Sequence, residues 1–177
     1  MIRRLALETR AVSAVEFALC LPFLVTLYIG GYQLSDAISA YRKVTTTTRA
    51  VADLTSQYTA VTDSDLQTVL LAAQQIMAPY DLNNAKLTVS QIKIDGSGNA
   101  TVAWSAGKNV NALTTGASFT LPAAIRQPNT YLIVAGVDYQ YVPTLASTLI
   151  GSFTMRDQVI LSARAAPCIK HNGTCDS

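Results

Sequence analysis

The sequence predicts an α+β protein: a single N-terminal transmembrane helix that runs on into an amphipathic helix, then a small domain with a second helix and an antiparallel β-sheet. Three observations predict it. Residues 12–34 form an almost unbroken apolar stretch. From Ile38 to Tyr58 the apolar residues recur every three or four positions, the period of a helix with one apolar face. After Pro79 the texture changes to alternation, the period of strands.

The first element is a short basic leader, residues 1–11. The second is the span, residues 12–34. Between Phe17 and Ile29 only Pro22 and Thr26 interrupt the apolar run, and about 20 residues suffice to cross the hydrocarbon at 1.5 Å per residue. Tyr28 and Tyr32 stand near its far end, where amphipathic rings favour the membrane interface. Arg3, Arg4 and Arg10 precede the span against Glu8, which favours a cytoplasmic N-terminus. Arg42, Lys43 and Arg49 follow it and weaken that bias, but long C-terminal domains cross largely regardless of charge.

Residues 35–177 then form an extracytoplasmic domain. Its amphipathic helix covers 35–60, with Ile38, Tyr41, Val44, Thr48, Val51, Leu54 and Tyr58 on the apolar stripe and Asp36, Arg42, Lys43, Arg49 and Asp53 opposite. Thr45 to Thr48 lower helix propensity, so a break there is compatible with the sequence. A second helix covers 63–78, capped by Asp63 or Ser64 and ended by Pro79.

Strands fall within 86–166: "KLTVSQIKI", "NATVAWSA", "ASFTL", "TYLIVAGVDYQYV" and "DQVILSARA". "DGSGN", Asp95 to Asn99, reads as a hairpin turn between the first two. The odd positions of Tyr131 to Tyr141 read as a buried face. Leu87 and Val89 are out of phase with Ile92 and Ile94, which a bulge or burial on both faces would explain. "VPTLASTLIGS" reads as a loop or short helical turn.

The chain has 177 residues, of which 50% are hydrophobic and 14% charged, enough for one packed domain with an appendage. A net charge of +2, with no basic run interleaved with aromatics, points away from a nucleic-acid partner. Cys168 and Cys175 flank "IKHNGT" and read as a disulfide in an oxidising compartment. A metal site on Cys168, His171 and Cys175 is the competing reading, and it lacks a nearby fourth ligand. Cys20, inside the span, reads as a small apolar residue.

His171 is the only histidine, and no phosphate loop, zincin motif or dinucleotide fingerprint is present. "DGSGN" lacks the ligand series of a calcium loop. Asp63 and Asp65 suit the positive end of a helix better than a paired acid site. The sequence therefore supports no enzyme and implies no cofactor.

One residue resists this plain description. Glu16 sits at the mouth of the span, where a charge is costly, by roughly 2.5–3.5 kcal/mol at the centre of a membrane helix and less near its ends. "AVSAVEFALCLP" supplies a context. A basic leader, a small residue, four residues and then Glu-Phe at the head of an apolar helix resembles the prepilin-type signal, and most of all the TadE-like family of tight-adherence (Tad, or Flp) pilus proteins. The resemblance is specific over Arg3 to Pro22 and is one of layout beyond.

It implies a minor pilin or pseudopilin that assists assembly of an adhesive pilus. A prepilin peptidase would cut between Ala11 and Val12, leaving Glu16 fifth in the mature chain, followed by Phe17. Alanine stands where the family usually has glycine before the cut. The implied partners are the prepilin peptidase, the major Flp-type pilin, other minor pilins, the inner-membrane assembly platform and the membrane itself. The implied location is the bacterial inner membrane, single-pass, with the C-terminal domain periplasmic or in the pilus.

Two other readings stay open at this level. "SDA", Ser35 to Ala37, offers a signal-peptidase cut that would free a secreted binding domain, although the span is long for a signal peptide. A type II secretion pseudopilin shares the Glu and the membrane helix, but it usually carries Phe-Thr-Leu-type residues ahead of the Glu, which "VSAVEF" lacks.

Overall fold

The computed structural model describes residues 9–145 and 151–175. Most of the leader, and residues 146–150 of the "VPTLASTLIGS" segment, lie outside the described residues. The chain divides into two compact units, Met1–Ser39 with Val142–Ser152, and Ala40–Tyr141 with Phe153–Ser177.

Helix α1, Thr9–Ser56, is 48 residues long. It passes through Pro22, whose missing N–H removes one intrahelical bond. Thr26 Oγ1 donates to the Pro22 carbonyl at 2.8 Å. It also passes unbroken through Thr45–Thr48. Thr48 Oγ1 donates to the Val44 carbonyl at 2.9 Å and Thr55 Oγ1 to the Val51 carbonyl at 2.8 Å, so two buried hydroxyls are satisfied within the helix.

The buried stripe keeps Val44, Thr48 and Val51 of the sequence reading and departs from it elsewhere. Ala40, Val44, Thr47, Thr48, Val51, Ala52 and Thr55 are buried, whereas Ile38, Tyr41 and Leu54 are exposed. The residues that join the stripe, Ala40, Thr47, Ala52 and Thr55, carry small side chains. The larger apolar residues of the sequence reading, Ile38, Tyr41 and Leu54, lie on the outer face.

After α1 comes β1, Ala60–Val61, and then α2, Asp63–Met77. The cap of α2 is Thr62, one residue earlier than the sequence reading placed it. Asp65 N–H donates to Thr62 Oγ1 at 3.3 Å, while Thr62 N–H and Oγ1–H both donate to Asp65 Oδ2 at 2.9 and 2.8 Å. This reciprocal pair satisfies backbone donors that no helical turn serves. Leu66, Val69, Leu70, Ala73 and Met77 form the buried face of α2, and the helix stops one residue short of the Ala78-Pro79 pair.

The sheet has four strands: β2, Ala85–Ile94; β3, Ala100–Lys108; β4, Thr130–Tyr141; and β5, Phe153–Ser162. Their order is β3-β2-β4-β5, all antiparallel. β6, Lys170–His171, pairs in parallel with β1 as a separate two-stranded piece.

The "DGSGN" turn joins β2 to β3. Asp95 Oδ1 accepts from the N–H groups of Ser97 and Asn99, both at 2.8 Å, and Gly98 adopts φ of 83°, which favours glycine. The odd residues of β4 from Ile133 to Tyr141 are buried, as read.

The phase break in β2 comes from burial on both faces: Leu87, Val89 and Gln91 on one, Ile92 and Ile94 on the other. The bulge at this point belongs to β3, where Ala103 is the extra residue as the β2–β3 register shifts between Gln91 and Ile92, while the β2–β4 register runs unbroken. The second face builds its own cluster with Ala100, Val102, Leu121 and Val134.

"ASFTL" is not a strand of this sheet. Only an isolated bridge joins Ser118 to Thr101, with Ala117 and Phe119 bonded to the β3 edge through Val102 N–H to Ala117 O and Phe119 N–H to Ala100 O, both 2.9 Å. Its alternation is real, since Phe119 and Leu121 pack on that cluster. Gly116 turns the chain in with φ of 80°, and Pro122 follows it without an N–H to extend the pairing.

Candidate functional site

The residues singled out in the sequence fall in two places. Ala11 and Val12 lie in the early turns of α1, and Glu16 and Phe17 follow one turn later. Val12 and Glu16 are four apart, so they share one face of the helix. Val12 and Phe17 are 52% and 61% exposed, and Glu16 is exposed. The exposure continues through Leu19, Phe23, Leu27 and Tyr28. An apolar helix surface this complete needs an apolar surrounding, either lipid or other helices. Among the described residues, α1 holds the one helix long and apolar enough to cross a membrane.

Cys168 and Cys175 lie in the other unit and are joined as a disulfide. The bond consumes both thiolates of the competing metal reading. His171, between them, has Nε2 at 2.8 Å from Asp63 Oδ1, with its side chain largely covered and that of Asp63 exposed. Asp63 and Asp65 thus serve separate partners rather than each other. The Thr62 N–H and hydroxyl beside Asp65 hold its carboxyl below the ordinary 3.8. The Asn99 side-chain amide and N–H, assisted by the Ser97 and Gly98 N–H groups, do the same for Asp95.

Sequence reasoning missed the residues that seat the disulfide loop. Gln91 is fully buried, and its Oε1 accepts the Ile169 N–H at 2.8 Å. Trp104 Nε1–H donates to the Ile169 carbonyl at 3.0 Å. A glutamine amid alternating apolar residues was the one available signal, since a buried amide needs partners.

These features define a class: a chain with one N-terminal helix fit to serve as a membrane anchor and an α+β unit with a stapled C-terminal loop. Residues 11–53 match a family model described as TadE-like protein. No curated protein and no solved structure matches the chain. The family match covers the apolar part of α1 together with Glu16 and Phe17, agrees with the resemblance read from "AVSAVEFALCLP", and supports a protein associated with the Tad pilus.

Proposed function

We propose that the protein is a minor pilin or pseudopilin that assists assembly of a Tad (Flp) pilus. In this reading residues 1–11 are a leader, 12–34 the inner-membrane span, and 35–177 the domain presented outside the cytoplasm. A prepilin peptidase cuts between Ala11 and Val12. The major pilin, other minor pilins and the assembly platform meet the exposed helix, and the domain serves adhesion through the pilus.

The observation that carries the reading is Glu16, an exposed carboxylate and the one charged residue of the span 12–34, inside the TadE-like match. After the cut, Val12 carries an ammonium group one helical turn from Glu16. In a bundle of such helices, Glu16 of one subunit pairs with the amino terminus of a neighbour. A charge left unpaired among lipid or apolar helices costs several kcal/mol, so the pair fixes the axial register of each subunit.

The test is the intact mass of the protein extracted from native membranes, with the peptidase gene present and deleted. A chain beginning at Val12, only when the peptidase is present, is the expected result. A soluble chain beginning at Ile38 would overturn the pilin reading in favour of a secreted domain. An uncut chain in both strains would leave a plain anchor and remove the role given to the new amino terminus.

A further inference from the structure

We infer that the start of the connection between β4 and β5, Val142–Leu145, is a second membrane-contacting element that seats its apolar side chains in the interface of the bilayer that α1 spans. The inference rests on the reading of α1 as a membrane anchor. Val142–Ser152 belongs to the same compact unit as Met1–Ser39, the part of the helix that holds the span.

Gln33, at the far end of the span, is 3% exposed, although its helix neighbours Tyr32 and Leu34 are 50% and 63% exposed. In the connecting segment Pro143 is buried, while Val142 and Leu145 on either side of it are 51% and 64% exposed. Helix and segment thus each have one covered residue within two positions of exposed apolar ones on both sides, within one compact unit.

The depth follows from α1. Tyr28 and Tyr32 stand at the end of the apolar stretch, the level at which amphipathic rings mark the border between acyl chains and headgroups. Gln33 shares that level. A segment of the same unit that lies there meets headgroups and upper acyl chains rather than bulk water. Its chemistry suits that place, because no charged side chain occurs from Val142 to Phe153. A single exposed valine or leucine on a soluble surface would be unremarkable in itself. Here the neighbour is an anchor helix, and burial of apolar area at the bilayer surface is what holds interfacial elements in place.

The experiment places a nitroxide on single cysteines of the full chain in phosphatidylcholine–phosphatidylglycerol vesicles. Cys20→Ala removes the one free thiol among the described residues. Leu145→Cys tests the inference, Leu24→Cys reports the span, and Val110→Cys, 38% exposed in the other unit, reports water. Collision rates with oxygen, which partitions into lipid, are compared with those of a water-soluble nickel chelate.

The expected result is oxygen favoured at positions 24 and 145, and nickel favoured at 110. Nickel favoured at 145 with oxygen still favoured at 24 would overturn the inference and leave the anchor standing. Low collision with both reagents at 145 would mean protein packing and would overturn it too. Nickel favoured at 24 would remove the anchor and the inference with it.

Discussion

Gln91 Oε1 accepts the backbone N–H of Ile169 at 2.8 Å across 78 residues of sequence, and both residues are fully buried. The same side chain donates through Nε2 to the Cys175 carbonyl at 3.3 Å. Trp104, directly opposite Gln91 in the β2–β3 register, holds the Ile169 carbonyl. The stapled loop is therefore fastened by side chains of the sheet as well as by its own disulfide. Gln91→Leu keeps the volume but leaves the Ile169 N–H and the Cys175 carbonyl without these partners. Each buried unsatisfied group costs about 1–3 kcal/mol, and each kcal/mol lowers Tm by about 2–4 °C for a chain of this size. Thermal unfolding followed by the near-ultraviolet signal of Trp104 checks this. An unchanged Tm would mean that the Gln91 bonds do not stabilise the loop beyond what the disulfide and Trp104 supply.

Acid should weaken the domain through Asp65 and Asp95. Both carboxyls sit below the ordinary 3.8, held there by hydrogen bonds from Thr62 and from Asn99. A lowered folded value means that the unfolded chain binds the proton more readily. The contribution is fully present above the ordinary value and is lost as pH falls through the lower folded one. Tm measured from pH 6 down to pH 2.5 should hold and then fall below pH 4. Asp65→Asn should make that fall shallower. Thr62→Ala removes the cap itself and should cost about 1 kcal/mol at neutral pH. An identical acid profile for Asp65→Asn and wild type would show that the capping box does not drive the pH response.

The extent to which sequence foretold structure follows the size of the side chains involved. The span, the α2 face and the odd face of β4 were legible because they are built from large apolar residues at fixed period. The buried stripe of α1 was legible only in part: Val44, Thr48 and Val51 stood in it as read, whereas Ala40, Thr47, Ala52 and Thr55 carry little hydrophobic signal. Thr62 was passed over for Asp63 because both are good caps, and only the reach of Asp65 back to Thr62 decides between them. The two-residue pair Ala60–Val61 with Lys170–His171 is too short to show a period at all. At the site, Glu16 and Phe17 stood out through a motif, whereas Gln91 acts on residues more than 70 positions away.

Gly107 should be intolerant of a side chain even though its backbone is not in the left-handed region. A Cβ there would collide with the Val110 carbonyl, a backbone atom that cannot swing aside. Gly107→Ala must displace either the end of β3 or the chain that follows it, and overpacking of this kind costs about 1–3 kcal/mol. Gly96→Ala is the control, since its Cβ would meet only the Asn129 side chain, at 3.5 Å. That change should stay within about 0.5 kcal/mol of wild type. Denaturant unfolding of both variants separates the two, and equal stability would show that the Val110 segment yields freely.

Glu16→Ala carries the sharpest expectation about function, because the anchor and assembly roles of α1 respond to it in opposite ways. Removing a carboxylate lowers the cost of placing the helix in lipid, so the variant should fractionate with membranes as wild type does. Assembly should fail. Charges about 4 Å apart interact by about 4 kcal/mol at an effective dielectric of 20. Without Glu16 a neighbour's new amino terminus loses that interaction and remains unpaired among apolar helices. Glu16→Gln keeps the shape and a hydrogen-bonding group but removes the charge, so it should fail nearly as badly if charge pairing sets the register. Sheared-pilus yield and cross-linking to the major pilin, read beside membrane fractionation, separate the cases. Wild-type assembly by both variants would reduce Glu16 to a solvated charge at the headgroup level. Rescue by glutamine alone would replace the ion pair with a neutral hydrogen bond.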